Sequence, residues 1–211
     1  MKKIASVVLA FLLLFTFSAP ALAKAETKAE TETSTSIPYP KKGWYKAGKY
    51  TVGEDIPAGE YIIVATDAGT NLSFSLKGKD AGELRNGFAI ESISDSCVGR
   101  RYITLKKGQK LEVKKGKLIK VSKMPPYEPE KENVWPGGMY KVGYDIPAGT
   151  YKVTAPKDAR CPTRILHMPN TSEPTEHSIV MPGKSKEFTV ENGQYIQLQW
   201  KGTMTLVSLA E

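Results

Sequence analysis

The feature that most constrains the fold is a twelve-residue pattern that occurs twice, ninety residues apart. It reads YTVGEDIPAGEY from Tyr50 to Tyr61 and YKVGYDIPAGTY from Tyr140 to Tyr151. Further along each copy, TLKKGQ begins at Thr104 and TVENGQ begins at Thr189. Such a duplication predicts one structural module used twice. No acid, base, nucleophile or set of metal ligands is duplicated with it, which favours a binding or structural protein over an enzyme.

The N-terminus has the three regions of a secretory signal peptide. Lys2 and Lys3 precede an apolar run from Ile4 to Phe17, and Ala21-Leu22-Ala23 has the small-x-small form of a cleavage site. The apolar run has about 14 residues, whereas a transmembrane helix needs roughly 20. We therefore predict a signal peptide at residues 1–23, export, and a mature chain without a transmembrane segment.

Composition divides the rest of the chain into four parts. Residues 24–36 are rich in Lys, Ala, Glu, Thr and Ser and offer no large apolar side chain to bury, which predicts a disordered spacer over 24–40. Prolines and acidic residues between 124 and 133 predict an extended linker. The two modules then occupy residues 41–123 and 134–211.

Both modules have the composition of β-proteins. Short runs rich in Val, Ile, Tyr, Phe and Thr alternate with Gly, Asn, Asp and Pro, and no stretch keeps helical spacing for three turns. The fold class predicted is all-β, with two tandem small β-sandwiches or jelly rolls. The predicted strands are 49–52, 60–65, 72–77, 87–93, 101–105, 110–114 and 117–122, then 140–142, 150–154, 163–168, 176–180, 186–190, 195–199 and 204–208.

The repeated motif has the composition of a turn. Its turn residues are Asp55, Pro57 and Gly59 in the first copy and Asp145, Pro147 and Gly149 in the second. Proline presets the first central position of a type I turn, and glycine adopts the left-handed conformation that follows. The aspartate can accept backbone N–H groups of the turn. A cation or ligand contact is the alternative, but a hard cation takes several oxygens and each copy offers one carboxylate.

The motif Tyr-x-Val-Gly-x-Asp-Ile-Pro-Ala-Gly-x-Tyr, with a later Gly-Gln turn and a final strand pair, resembles an uncharacterised β-rich module of secreted proteins and lipoproteins of Gram-positive bacteria. The resemblance covers both modules, and it implies a bacterial, extracellular, noncatalytic domain. It supplies no catalytic residues. The second copy departs from the first between Ala155 and Glu176, so a specific site can differ between the copies.

Positive charge is concentrated in the first module, with a net charge of +8 against +1 in the second. Alternation with Leu111, Val113, Leu118 and Val121 predicts a hairpin with lysines on its outer face. These lysines are Lys106, Lys107, Lys110, Lys114, Lys115, Lys117 and Lys120. Such a face would attract a polyanion such as a wall polymer or anionic lipid headgroups. The alternative is that the lysines keep edge strands soluble. Nucleic acid is disfavoured because the protein is predicted to be exported and no aromatic platform accompanies the lysines.

The two cysteines, Cys97 and Cys161, lie in different modules. Outside the cytoplasm the simplest hypothesis is one disulfide between them, and the alternative is two separate cysteines. Cys161 also lies near Asp158, His167 and His177, but Cys-x5-His-x9-His is not a zinc spacing. No third group is marked that would orient a Cys–His pair for catalysis. We therefore predict no catalytic residues, no metal and no cofactor.

Two tryptophans precede the first repeated strand at almost corresponding positions, Trp44 and Trp135. Exposed, they would stack on sugars or on a protein; buried, they would close the end of each core. The function predicted is a secreted, non-enzymatic binding protein that contacts a cell-wall polymer, anionic or glycan, or a surface protein. The alternative is a structural or inhibitory interaction module that presents a loop such as residues 155–174. A metal- or thiol-dependent enzyme is a distant third.

Overall fold

The computed structural model contains β-strands throughout and one short 3-10 turn at Val121–Lys123 in the part of the chain that it describes. The all-β prediction is confirmed. No helix in that part is long and apolar enough to span a membrane. The predicted signal peptide and nearly all of the predicted spacer lie outside the described residues. These residues are 39–66, 71–79, 88–94, 97–172 and 174–210.

The first module packs two antiparallel sheets against each other, β1-β7-β3-β4 and β6-β2-β8. Its core lies between them and includes Tyr61 and Ile63 from one sheet and Phe74 and Val113 from the other. The strands are β1 (Gly48–Thr51), β2 (Gly59–Val64), β3 (Asn71–Lys77), β4 (Phe88–Ser94), β5 (Cys97–Val98), β6 (Arg100–Leu105), β7 (Lys110–Lys115) and β8 (Lys117–Lys120).

The second module repeats this topology. Strand β14 pairs with β9 and β11, β11 pairs with β12, and β10 pairs with β13 and with β14. The strands are β9 (Val134–Lys141), β10 (Gly149–Thr154), β11 (Thr163–Met168), β12 (Glu176–Val180), β13 (Ser185–Val190) and β14 (Tyr195–Leu209). The sequence duplication therefore corresponds to a duplicated strand order.

The chain passes from one sheet to the other differently in the two copies. Strand β14 runs through both sheets with a register shift between Leu198 and Thr203, and Trp200 has a φ of 68° there. In the first module the corresponding strand is interrupted at Gly116, where a Cβ would lie 2.5 Å from Leu72 Cδ1. The predicted hairpin of 110–114 with 117–122 is therefore wrong, because β7 and β8 belong to opposite sheets.

The tyrosines of the repeated motif close each turn in the same way. Tyr61 donates its hydroxyl to the carbonyl of Pro57, and Tyr151 donates to that of Pro147, both at 2.7 Å. All four neighbouring positions of β2, from Tyr61 to Val64, are fully buried. Adjacent residues of a strand point to opposite faces of the sheet, so a run that is buried throughout is covered on both faces. The outer side of β2 must therefore be covered as well.

The cover for β2 is the second module. A third apolar cluster lies between the modules, where the outer face of β6-β2-β8 packs on the outer face of β9-β14-β11. Its buried members are Ile62, Val64, Tyr102, Ile119, Met124, Met139, Leu166, Met168 and Tyr195. Met124 and Tyr127, both from the segment predicted as a linker, are also buried.

Candidate functional site

The exposed outer face of β1-β7-β3 in the first module carries a cluster of lysines. Cross-strand partners point to the same side of a sheet, and the register places Lys49 opposite Glu112 and Lys77 opposite Lys110. We call Lys49, Lys77, Lys110 and Glu112 the lysine face. It borders a groove of about 270 Å³. The groove is lined by Lys49, Tyr50, Thr51, Asp55, Ser75, Lys77, Lys110, Leu111 and Glu112.

Two lysines of this face repel each other when no anion is bound. Lys77 and Lys110 are directly opposite each other on neighbouring strands, and like charges in that position destabilise a sheet. Neither ammonium group forms an ion pair with a described residue. An anion between them would convert the repulsion into attraction.

The duplication allows this face to be compared with its equivalent in the second module. The positions of Lys49, Lys77, Lys110 and Glu112 correspond to Met139, Met168, Tyr195 and Gln197. All four residues of the second module are buried, and three of them belong to the cluster between the modules. The same face is thus uncharged and mainly apolar where the other module covers it, and it is charged where it is open.

The seven lysines predicted from the sequence do not form one surface. Lys110 and Lys114 lie on β7 and Lys106 and Lys107 in the turn before it, while Lys117 and Lys120 lie on β8 in the other sheet and Lys115 ends β7. The Nζ of Lys117 lies 4.3 Å from the ring centroid of Trp44, so this ammonium is engaged in a cation–π contact. Lys49 and Lys77 were not among the lysines predicted from the sequence. Alignment of the repeats, which places them against Met139 and Met168, was the signal that could have found them.

The two aspartates of the repeated motif have different environments. Asp55 is exposed and accepts the backbone N–H of Thr51 at 2.6 Å. Asp145 accepts the equivalent N–H of Lys141 at 2.9 Å, and it also lies 3.0 Å from Nη2 of Arg100, which is fully buried. The motif aspartate therefore serves its turn in both copies, and in the second copy it also forms an ion pair between the modules.

The Arg100–Asp145 pair is embedded in further polar contacts. Tyr102 donates its hydroxyl to Asp145 Oδ2 at 2.5 Å, and the N–H of Tyr127 donates to Oδ1 at 3.0 Å. The guanidinium carbon of Arg100 lies 5.5 Å and 5.4 Å from the ring centroids of Tyr102 and Tyr127. Burial is the largest single influence on Arg100 and disfavours its charged form, but the Asp145 carboxylate together with Tyr102, Tyr140 and Tyr39 outweighs burial and raises the pKa of Arg100.

Further polar contacts join the modules. Glu60 accepts from Nζ of Lys141 at 2.7 Å and from the hydroxyl of Tyr195. Thr171 is buried and accepts the N–H of Thr104 at 2.9 Å. Part of the loop 155–174, predicted as a contact for an external partner, is therefore used inside the molecule.

The buried tyrosines predict that the free energy of unfolding falls at alkaline pH. Burial raises the pKa of Tyr61 and Tyr127 from 10.0 to about 12, and it raises that of Tyr102 further. Because the folded state favours the neutral phenol, this stabilisation is complete below pH 10 and is lost as the pH rises through 10 towards 12. We expect tyrosinate absorbance and loss of the β-sheet circular dichroism to rise together. Titration of all tyrosines near pH 10 in a folded protein would contradict this.

The described residues with metal-compatible side chains do not come together into one site. The Nδ1 of His177 lies 3.2 Å from Nη2 of Arg164, and the ring of His167 packs edge-on against Phe188. No three of the described His, Cys, Asp and Glu side chains form a group that could hold a metal ion, Asp158 and Cys161 included.

The hypothesised Cys97–Cys161 disulfide is not formed in this structure, where Cys161 is an exposed free cysteine. Cys97 pairs with Gly137 of β9, and β14 separates β9 from β11. Cys161 precedes β11 by two residues. Three strand spacings amount to roughly 14 Å along the sheet, about twice the Cα separation that a disulfide spans.

The aromatic residues close the cores. Trp135 is buried and packs on Tyr151, and in the first module the equivalent contact is made by Tyr45 with Tyr61. Tyr45, rather than Trp44, therefore occupies the position of Trp135. Trp44 is half-buried and donates Nε1–H to the carbonyl of Pro40 at 2.6 Å. Trp135 is not available for stacking on a sugar.

Comparison with known proteins gives no family: no protein-family model matches the chain, and none of the curated proteins is significantly similar to it. The resemblance of the repeated motif to a Gram-positive secreted module stays a prediction.

Proposed function

We propose that this protein is an exported, non-enzymatic binding protein whose lysine face contacts an anionic cell-wall polymer. The proposal is carried by the equivalent faces of the duplicated module. One became apolar and is covered by packing, whereas the other bears Lys49, Lys77 and Lys110 and stays open. Three of the four residues that define the lysine face are cationic, which favours an anionic ligand.

A polymer suits this face better than a single small anion. Lys77 and Lys110 are adjacent, while Lys114 lies four residues further along β7, about 14 Å away. Successive anionic groups on one chain can reach both positions, and each contact then adds to the others. Binding through exposed ammonium groups should weaken as salt screens them.

A protein partner is the second candidate function, and one observation favours it. Ile179 on β12 and Met181 just beyond it are 60% and 57% exposed. Strand β12 pairs with β11 and with no other described strand, so its second edge can accept an added strand.

Co-sedimentation of residues 24–211 with bacterial cell walls, with and without their teichoic acid, tests the polymer proposal across a salt series. We expect binding that requires the polymer and fades with salt. Replacing Lys49, Lys77 and Lys110 together by glutamine should lower the affinity about 100-fold at low salt, at about 1 kcal/mol per lysine.

The matched control replaces three exposed lysines of the second module, Lys152, Lys184 and Lys201, by glutamine. It changes the net charge equally but leaves the lysine face intact. An equal loss of affinity in both triple variants would show that total charge, and not this face, drives binding. Absence of binding by the unmodified protein at low salt would refute the proposal.

A further inference from the structure

The lysine-lined groove also contains carboxylates. Glu112 lies on β7 between Lys49 of β1 and Ser75 of β3, and Asp55 lines the same groove. Glu112 is half-buried and forms no ion pair with a described residue. Lys110 is two residues away on the same face of β7. The Lys77–Lys110 pair therefore lies next to Glu112 on this face, with the Cα atoms of Lys110 and Glu112 about 7 Å apart.

The position of Glu112 is unsuited to a simple polyanion. A carboxylate in the centre of the groove repels phosphate groups and lowers the affinity for an unsubstituted anionic chain. The fold does not demand a carboxylate there, because the equivalent residue of the second module is Gln197, a neutral side chain of the same shape. Asp55 is partly engaged by its bond to Thr51, so Glu112 is the acceptor that is open to a ligand.

We infer that the groove recognises a phosphate-bearing polymer that also carries primary amines. A phosphate group would lie between Lys77 and Lys110, and a neighbouring ammonium would donate to Glu112, with the hydroxyl of Ser75 beside it. This inference rests on the proposed function and specifies its ligand. If net charge alone set the affinity, the amine-bearing polymer would bind more weakly, because added amines make it less negative. This inference predicts that the amine-bearing polymer binds more tightly.

The test uses two synthetic glycerol-phosphate polymers of equal length, one unsubstituted and one bearing primary amines, and measures affinity by calorimetry at low ionic strength. The unmodified protein should bind the amine-bearing polymer roughly tenfold more tightly, as expected for one charge-assisted hydrogen bond. Glu112→Gln should abolish this preference by weakening binding of the amine-bearing polymer and strengthening binding of the unsubstituted one. The double replacement of Lys77 and Lys110 by glutamine should weaken both.

Each other outcome is decisive. If the unmodified protein binds both polymers without preferring the amine-bearing one, or if Glu112→Gln shifts both affinities alike, the amine site is refuted and the polyanion function stands. If it binds neither, the proposed function fails with it. Glu54→Gln is the matched control, since Glu54 is exposed in the turn after β1 and does not line the groove. Thermal unfolding of each variant verifies that it is folded.

Discussion

Asp145→Asn should lower the free energy of unfolding by about 3–5 kcal/mol, the loss typical when one partner of a buried ion pair is removed. Arg100 stays buried in this variant, and its charge loses the carboxylate that lies 3.0 Å from Nη2. The bonds from Tyr102 and from the N–H of Tyr127 are also weakened. Urea denaturation of the two proteins measures the difference.

The matched control for Asp145→Asn is Asp55→Asn, the same change at the equivalent position of the first copy. Asp55 is exposed and serves its own turn through Thr51, so this variant should lose about 1 kcal/mol. Equal losses at the two positions would show that the turn, and not the ion pair, needs the carboxylate. Arg100→Met combined with Asp145→Asn should recover part of the stability, because no unpaired charge remains buried.

Ile62→Lys should destabilise the protein by about 4 kcal/mol or more, since it places an unpaired ammonium in the apolar cluster between the modules. Ile62 is fully buried there. The second module has lysine at the equivalent position, Lys152, where the strand face is open. If the modules separate instead of unfolding, the radius of gyration measured by small-angle X-ray scattering will rise.

The reverse replacement, Lys152→Ile, is the control for Ile62→Lys. It exchanges the same two residue types on an exposed strand face and should change stability by less than about 0.5 kcal/mol. A comparable loss in both variants would mean that the strand itself, rather than the contact between modules, rejects the substitution. A small loss in both would mean that the interface contributes little.

The two modules pack head to tail, because different faces meet in the contact. An interface of this kind can continue into an open chain of copies unless the free faces prevent it. The free face of the second module pairs Lys152 with Glu187, where the first module pairs Ile62 with Tyr102. The lysine face closes the other end. Charge at both ends disfavours the addition of a further copy to either face.

Local sequence patterns were sufficient for the strands and the turns. Alternation of apolar and polar residues predicted fourteen runs, and eleven of them coincide with strands to within two residues at either end, because this period reflects neighbours along one chain. The runs 195–199 and 204–208 proved to be parts of one strand, β14. The β5 strand was missed, since two residues cannot show a period. Likewise, the hydrogen bonds of the motif aspartates and turn carbonyls join residues that are four positions apart in the sequence.

Only the tertiary structure decided which face of each copy is buried, and with it the position of the candidate site. The continuous apolar run of β2 was visible in the sequence, but the module that covers it was not. Lys49, Lys77 and Lys110 lie on three strands that meet only after the sheet has formed. Asp145 differs from Asp55 because Arg100 and Tyr102 reach it from the other module. Contacts within a strand or turn are set by neighbouring residues, whereas contacts between strands and modules depend on register and packing that no local pattern records.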